Sequence, residues 1–519
     1  MTLPTFSRRL VGDVIKRAIR QRLPRIEAFR RDPHGTQAIQ LRYLLGRAAK
    51  TEIGAMYGFH TSMTAREFAG RVPVVTYEQL FPQIERVLQG VPNVLWPGRP
   101  VWFAKSSGTT NARSKYIPVT PENLHGCHYQ GGKDLLALIS GLYPAHNLFH
   151  GQGLSLGGSL SPNPWRPAES TPHCGDVSAV IMRNLPGWAQ FIRSPPVELA
   201  LLADWDEKIE RLARHTARAN VTSILGVPTW TVVLLRRILE LTGKRYIREV
   251  WPNLAMFAHG AVAFGPYQAL FEQLIPPDQT DGGRYPMRYL DIYNASEGFF
   301  GLQDQADSPD LLLLLDYGIY YEFLPLDQLG APAPVAVPLE AVVVGQTYAL
   351  VISTTAGLWR YLPGDTLRFT STRPYRFRIS GRTKHFLNAF GEEVVVENAE
   401  AAVSAACLAT AAALTDFTAA PVYLGLTTRG RHEWLFEFAQ LPTDMARFAQ
   451  VLDDTLRHLN SDYDAKRQHD LALAPPLIRL APPGTFAAWL RAKGKLGGQH
   501  KVPRLTNDRS LLEELLVLS

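Results

Sequence analysis

The sequence predicts an α/β protein. It has a large N-terminal domain of mixed sheets and helices over residues 1–380, carrying a β-barrel-like portion, and a smaller, mobile α+β domain over 381–519. Three observations lead there. The chain has 519 residues, too many for one compact core. From about 100 to 300, strand-like apolar runs alternate with helical patterns, the signature of a largely parallel sheet. From 317 to 380 the pattern turns to short strands, and beyond Gly381 a different unit begins.

Residues 1–60 read as helical. Val101-Trp102-Phe103-Ala104 reads as a short buried strand. Thr222–Leu225, Leu254–Ala258 and Arg288–Tyr293 are further strands, and Trp230–Leu241 and Tyr267–Leu274 are helices after the first two. Elbows sit just past these strands at Gly226, Gly260 and Ser296; ligands in open α/β sheets gather beyond the carboxyl ends of strands. Ile319–Phe323, Ala341–Val344, Tyr348–Ser353, Leu367–Thr370 and Arg376–Ile379 suit an antiparallel sheet or barrel, which Ser380-Gly381-Arg382 interrupts. The last unit offers an alanine-rich helix at Asn398–Thr410 and a hairpin of Val422–Thr427 with His432–Ala439. A helix at Met445–Leu459 and a glycine- and lysine-rich mobile loop at Lys493–Leu505 follow.

Hydrophobic residues at 46% and charged residues at 19% exclude wholesale disorder. A net charge of +7 suits an anionic ligand such as a nucleotide without demanding nucleic acid. Cys127, Cys174 and Cys407 are far apart and match neither a disulfide framework nor a zinc site, so a cytoplasmic location fits. The five-leucine run Leu311–Leu315 is too short to span a bilayer, and no signal peptide is evident. Arg8, Arg9, Lys16, Arg17, Arg20 and Arg22 interleave with apolar residues at helical spacing. That stretch suits a weak membrane-surface contact, or, more ordinarily, a solvated basic helix lying on its own domain.

Four short motifs carry chemistry. Lys105–Thr120 packs Ser106, Ser107, Gly108, Thr109 and Thr110 together, with Lys115 five residues on; glycine, hydroxyls and lysine can wrap a polyphosphate, although such runs are also ordinary surface loops. The order is not that of a Walker-type loop. Tyr293-Asn294-Ala295-Ser296-Glu297-Gly298 offers an aromatic, a hydroxyl and a carboxylate at a strand end. Asp365 follows a Pro-Gly turn, where one carboxylate can accept from two ribose hydroxyls. Arg382 stands at the apparent domain junction.

The order and spacing of these elements resemble adenylate-forming enzymes, the superfamily of acyl-CoA synthetases and firefly luciferase. More narrowly, Ser106–Pro118, Tyr293–Gly298, Thr355–Asp365 and Gln499-His500-Lys501-Val502-Pro503-Arg504 are similar to the auxin-responsive acyl-acid amido synthetases and their bacterial relatives. The resemblance runs from about 70 to 505. It implies a ligase that uses ATP and Mg2+ to adenylate a small-molecule carboxylic acid. The acyl group then passes to an amine, usually that of an amino acid, with release of AMP. The implied alternatives are a thioester-forming ligase using coenzyme A and a catalytically silent nucleotide-binding homologue. A monomer is implied, without nucleic acid or a transmembrane segment.

By the same resemblance Ser106, Ser107, Gly108, Thr109 and Thr110 hold the phosphates with Lys115, and Ser107 and Thr110 take part in catalysis. Tyr293 stacks adenine, Ser296 bonds the α-phosphate and Glu297 holds Mg2+. Asp365 and Arg382 take the ribose, Gly260-Ala261-Val262 lines the adenine edge, and Trp230 walls the acyl pocket unless it is simply a core tryptophan. Lys501 reaches the α-phosphate from the small domain. The chain departs from the family where Ala112 replaces a usual glycine and Ser114 a frequent proline. Its C-terminal unit carries little of the plant motif pattern outside the final lysine loop.

Overall fold

The computed structural model describes residues 5–109, 113–144, 148–166, 173–187, 189, 192–276, 282–306, 308–383, 386–425, 428–468, 472–493 and 502–518, with the side chains of 5–11, 107–109 and 113–114 outside the description. A twelve-stranded sheet organises the molecule. Five of its strands are parallel and lie side by side: Arg193–Ser194, Gln152–Ser155, Val221–Gly226, Met256–His259 and Arg288–Ala295. The chain then doubles back through Gly298–Gln303, and every further strand, out to Val337–Pro338, joins antiparallel. This antiparallel half prolongs an open sheet; among the described residues it does not close into a barrel.

The parallel half follows from the alternation in the sequence. Val221–Gly226 feeds the helix Pro228–Thr242, which starts with proline at its first turn and stops at Gly243, whose φ of 65° closes the helix end. Met256–His259 feeds Gly265–Leu274 in the same way. Leu311–Leu313, part of the leucine run, is a fully buried strand inside the sheet. One expected strand is absent. Ala341–Val344 is a short 3-10 turn and loop, because Val343 and Val344 face solvent and the Val343 N–H donates to the Tyr348 hydroxyl at 3.0 Å rather than to a ladder.

The N-terminal helices cover one face. Arg22 reaches both Asp134, at 2.9 Å, and Asp316, at 2.8 Å, and so fastens the start of the chain to the helix Tyr129–Leu142. Buried Arg360 forks onto Glu322 at 2.8 and 2.9 Å and donates to the carbonyls of Ala69 and Val72. The segment Thr355–Tyr361 is thus a clamp between the sheet and the helix Ala65–Arg71. A Cβ on Gly357 would lie 2.8 Å from Leu95, so only glycine fits that turn.

Beyond residue 386, three strands, Ala413–Val422, Arg431–Gln440 and Leu477–Ala481, carry the helices Val396–Ala409 and Met445–Leu459. The second strand and both helices fall where the pattern predicts them. The hairpin's first strand lies earlier, at 413–422: its alanines have little strand preference of their own, and pairing across to Trp434 and Leu435 decides the matter. The glycine-rich part of the last loop, 494–501, falls outside the described residues, and with it Lys501.

Candidate active site

A single cavity of about 1530 Å³ opens at the carboxyl ends of the parallel strands. It exceeds the roughly 300–1,000 Å³ of an ordinary ligand pocket, so it has room for more than one reactant. Every proposed site residue whose side chain is described lines it, together with the Gly260 backbone: Ser106, Lys115, Trp230, Gly260, Ala261, Val262, Tyr293, Ser296, Glu297, Asp365 and Arg382. Ser107, Gly108 and Thr109 belong to the strand Trp102–Thr109, which runs further than the apolar stretch alone suggested; their side chains, like Thr110 and Lys501, lie outside the description.

Lys115 is placed by a hairpin. Trp102–Thr109 pairs antiparallel with Arg113–Val119, setting Lys115 directly across from Ser106. Below it, the Tyr77 ring lies 5.8 Å from the ammonium, and the Tyr77 hydroxyl accepts the Tyr116 N–H at 2.8 Å. Burial pushes the Lys115 ammonium below its ordinary range, against the pull of Glu297. Burial likewise pushes the Glu297 carboxyl up, and Lys115 opposes this. Each group is starved of solvent and leans on the other, so an arriving polyanion or cation would shift both.

The Asp365–Arg382 pair depends on a bulge. The strands Asp365–Thr372 and Tyr375–Arg382 pair Thr366 with Gly381 but Leu367 with Ile379, leaving Ser380 over. Gly381 takes a φ of 140°, which favours glycine, and Arg382 is thereby set opposite Asp365 at 2.7 Å. The Tyr293 hydroxyl donates to the other oxygen of Asp365. Burial alone would raise the Asp365 carboxyl, but Arg382, the Tyr293 hydroxyl and Lys115 outweigh it and hold it below the usual range. Arg382 also touches Glu393 at 3.3 Å and covers the Phe386 ring at 5.2 Å, so its charge is shared with the C-terminal unit. Tyr293 is packed edge-on against Phe300 at 4.9 Å, which fixes its ring.

At the next elbow, Gly260 must be glycine, since a Cβ would stand 2.6 Å from the Ile292 carbonyl. Ala261 turns the chain at a φ of 70°, and its carbonyl accepts from Asn388 at 3.0 Å. The C-terminal unit therefore already holds one of the three backbone carbonyls along this edge. Trp230 is both a buried helix-start residue and a cavity wall: it stacks on Trp205 at 3.8 Å.

Several cavity residues have no motif to announce them. Trp205 stacks on Trp230, and behind the lining the Lys208 ammonium stands 4.2 Å from the Trp205 ring, bonded to the carbonyls of Gly157 and Gly158. From the C-terminal helix Ser461–Arg467, Lys466 stands 5.3 Å over Trp230. His259 and Asp291 face each other at 3.6 Å, yet burial holds the imidazole down to about 3 and so neutral, and enclosure pushes Asp291 up to about 7; they are not an ion pair near neutrality. Arg193 lies at the outer edge of the parallel strands. Partial signals existed only for Trp205 and Lys208, on a helix of strong amphipathic pattern.

The arrangement is that of an adenylate-forming ligase, and solved structures share the fold. The GH3.15 acyl acid amido synthetase matches with a TM-score of 0.58 at 20% identity, covering 95% of each chain. A 2-hydroxyisobutyryl-CoA ligase matches with a TM-score of 0.56 at 14% identity, over 94% of this chain and 92% of that one. In sequence, the GH3 family N-terminal domain matches residues 22–280, the central domain 312–382 and the C-terminal domain 397–510. The chain belongs to the GH3 family. Among its relatives are the indole-3-acetic acid-amido synthetases GH3.4 of Arabidopsis thaliana, 25% identical over 95% of this chain and 93% of the relative, and GH3.8 of Oryza sativa subsp. indica, 25% identical over 99% and 95%. It is an ATP-dependent, AMP-forming ligase that joins an acyl acid to an amine.

Proposed function

We propose that this one cavity carries both half-reactions, with the roles divided along its walls. What supports the division is that every assigned residue whose side chain is described lines the same cavity. In the first step a carboxylate oxygen of the acid attacks the α-phosphorus of ATP, and the bond to pyrophosphate breaks. In the second the nitrogen of an amino acid attacks the acyl carbon, AMP leaves with the bridging oxygen, and the amine proton is lost. Both steps bring charged groups together, so neutralisation and in-line placement supply most of the catalysis.

The hydroxyl strand from Ser106 and Lys115 take the phosphates. Asp365 takes the ribose hydroxyls, kept ionised and aimed by Arg382 and Tyr293. Adenine lies against Tyr293 and the Gly260–Val262 edge, and Ser296 meets the α-phosphate. Glu297 is weakly tied: the Tyr361 hydroxyl at 3.4 Å is longer than a good O–H···O bond, and beyond its own backbone N–H the carboxyl feels Lys115 through space. Among the described residues no cluster of three or more metal-binding side chains exists, so a metal here would be held by Glu297 together with the nucleotide's own oxygens. Mg2+ held so would neutralise phosphate charge.

Lys501 is proposed to reach the α-phosphate in the adenylating pose. Lys493, a rival in the same loop, is tied at 2.9 Å to Glu514. The residues just after Lys501 are anchored to the small sheet: Thr418 donates to the Pro503 carbonyl at 2.7 Å, and Arg504 pairs with Asp416. Carrying Lys501 in and out would require the small domain, 381–519, to turn about Gly381.

A screen of ATP–pyrophosphate exchange over a panel of carboxylic acids tests the first step. Single-turnover consumption of the resulting adenylate, by amino acids against coenzyme A, tests the second. Exchange with no acid, or consumption of thiol rather than amine, refutes the reading.

A further inference from the structure

The outer wall of the cavity holds a cation that this scheme does not use. Arg193 is only 8% exposed and lines the cavity. Among the described residues its Nε and Nη1 have no hydrogen-bond partner, and its Nη2 meets only the thioether sulfur of Met182, at 2.9 Å. A guanidinium carries five donors and no acceptor, and a thioether is a weak acceptor. The one carboxylate that acts on it, Glu198, does so through space from the surface. Enclosing a charge without a partner destabilises the fold, so Arg193 is not explained as a structural ion pair.

Its position indicates what it could hold. Arg193 is in register with Gly153, Gly153 with Ser223, and Ser223 with Met256. Three strand spacings place its backbone about 14 Å across the sheet from the strand Met256–His259, which leads to the Gly260 elbow. The guanidinium reaches the ligand-binding end of the sheet, because Met182 Sδ would lie 2.7 Å from a Cβ on Gly157, just past the strand Gln152–Ser155. On the face of the sheet that Arg193 shares, the cavity lining toward the nucleotide wall is Gly153, Ser223 and Met256, with Ile181 and Leu185, mostly apolar with a single hydroxyl. An occupant of this stretch needs an apolar body, and it meets a cation at its far end.

We propose that Arg193 anchors a second anionic group on the acyl acid, so that the preferred substrate is an acid with an apolar body and a distal carboxylate or sulfonate. Met182, a flexible side chain on a weakly held donor, moves aside as the oxyanion arrives. This rests on the ligase reading. The carboxylate of the amino acid has another cation available in Lys466, on the C-terminal side of the cavity.

The test uses matched pairs, each a dicarboxylic acid and its monomethyl ester, with alkyl and aryl bodies of graded length. ATP–pyrophosphate exchange should favour at least one diacid over its monoester by about 10²-fold or more in kcat/KM, since a site built around a polar group rejects the analogue that leaves it unpaired. Arg193→Met should abolish that preference and leave monoester turnover unchanged, and Arg193→Lys should restore part of it. Three results would overturn the assignment: no diacid preferred, equal slowing of diacid and monoester in Arg193→Met, or a raised KM for the amino acid when a pre-made adenylate is consumed. Calorimetric binding of the same pairs separates this from the activity itself. If no acid supports exchange but a diacid binds and Arg193→Met removes that binding, the ligase roles fail and the anion site stands; if no diacid binds either, both fail.

Discussion

The two walls of the cavity treat charge in opposite ways. On the nucleotide wall, Asp365, Arg382 and Tyr293 satisfy one another before any ligand arrives, and Lys115 leans on Glu297. On the outer wall, Arg193 is enclosed with nothing opposite but sulfur. Under the proposed roles, the first wall is preorganised for a cosubstrate common to the whole enzyme class. The second is incomplete without its ligand, which suits a wall that selects one acid among many. Preorganised networks favour speed and affinity, whereas an unpaired donor set favours discrimination.

The largest effect expected lies on the nucleotide wall. Glu297→Gln is nearly isosteric, so it should fold normally while ATP–pyrophosphate exchange falls by about 10²–10³-fold. Exchange that persists with an unchanged Mg2+ titration would remove Glu297 from the metal and leave the Lys115 contact as its whole role. A somewhat smaller loss, about 10²-fold, is expected for adenylation in Lys501→Ala, with consumption of a pre-made adenylate unaffected. Gly381→Pro should do the reverse if it holds the adenylating pose. Normal adenylation by Lys501→Ala, with a defect in Lys495→Ala instead, would move the role to the other lysine.

Asp365→Ala should weaken ATP binding by about tenfold or more, since charge-assisted bonds to two hydroxyls are lost. Unchanged affinity by calorimetry would contradict the ribose assignment. The same residue gives a pH signature. Its native carboxyl lies below the ordinary range, so its contribution to stability is fully present above the unfolded value, about 4, and is lost as pH falls through the lower native value. The stability gap between the protein and Asp365→Asn should therefore be widest near neutrality and narrow below pH 4. A gap that does not narrow would mean that ionisation of this residue does not support the fold.

The smallest effect expected belongs to the outer wall, and it has the opposite sign. Burial pushes the Arg193 guanidinium down to about 10, so at neutral pH its charged form costs stability in the ligand-free protein. Arg193→Met should raise the apo melting temperature by about a degree or two, while diacids should no longer protect against heat. A fall in melting temperature would show that the cation is satisfied after all, and the contrast between the walls would disappear.

The same contrast separates what the chain reveals by itself from what it does not. The nucleotide wall is built from short contiguous runs, and Tyr293–Glu297, Asp365 and Arg382 are legible because each follows a strand or turn whose chemistry is local. Helices such as Met445–Leu459, capped by Asp444, are legible for the same reason. The outer wall is assembled from Gly153, Ile181, Met182, Arg193 and Ser223, which no spacing links, so nothing in the sequence singles out Arg193. Edge segments also escaped: Ala341–Val344 has the composition of a strand but no partner to pair with.

Periodicity, glycine elbows and capping residues act over a few positions, and they determined the α/β class, the parallel core and the order of the nucleotide residues. Pairing between distant segments decided the rest. It set the open sheet in place of a barrel, the bulge that turns Arg382 onto Asp365, and the cavity that a cation from the edge strand shares with the nucleotide wall. Register and burial depend on which surfaces meet, and no local stretch of chain carries that information.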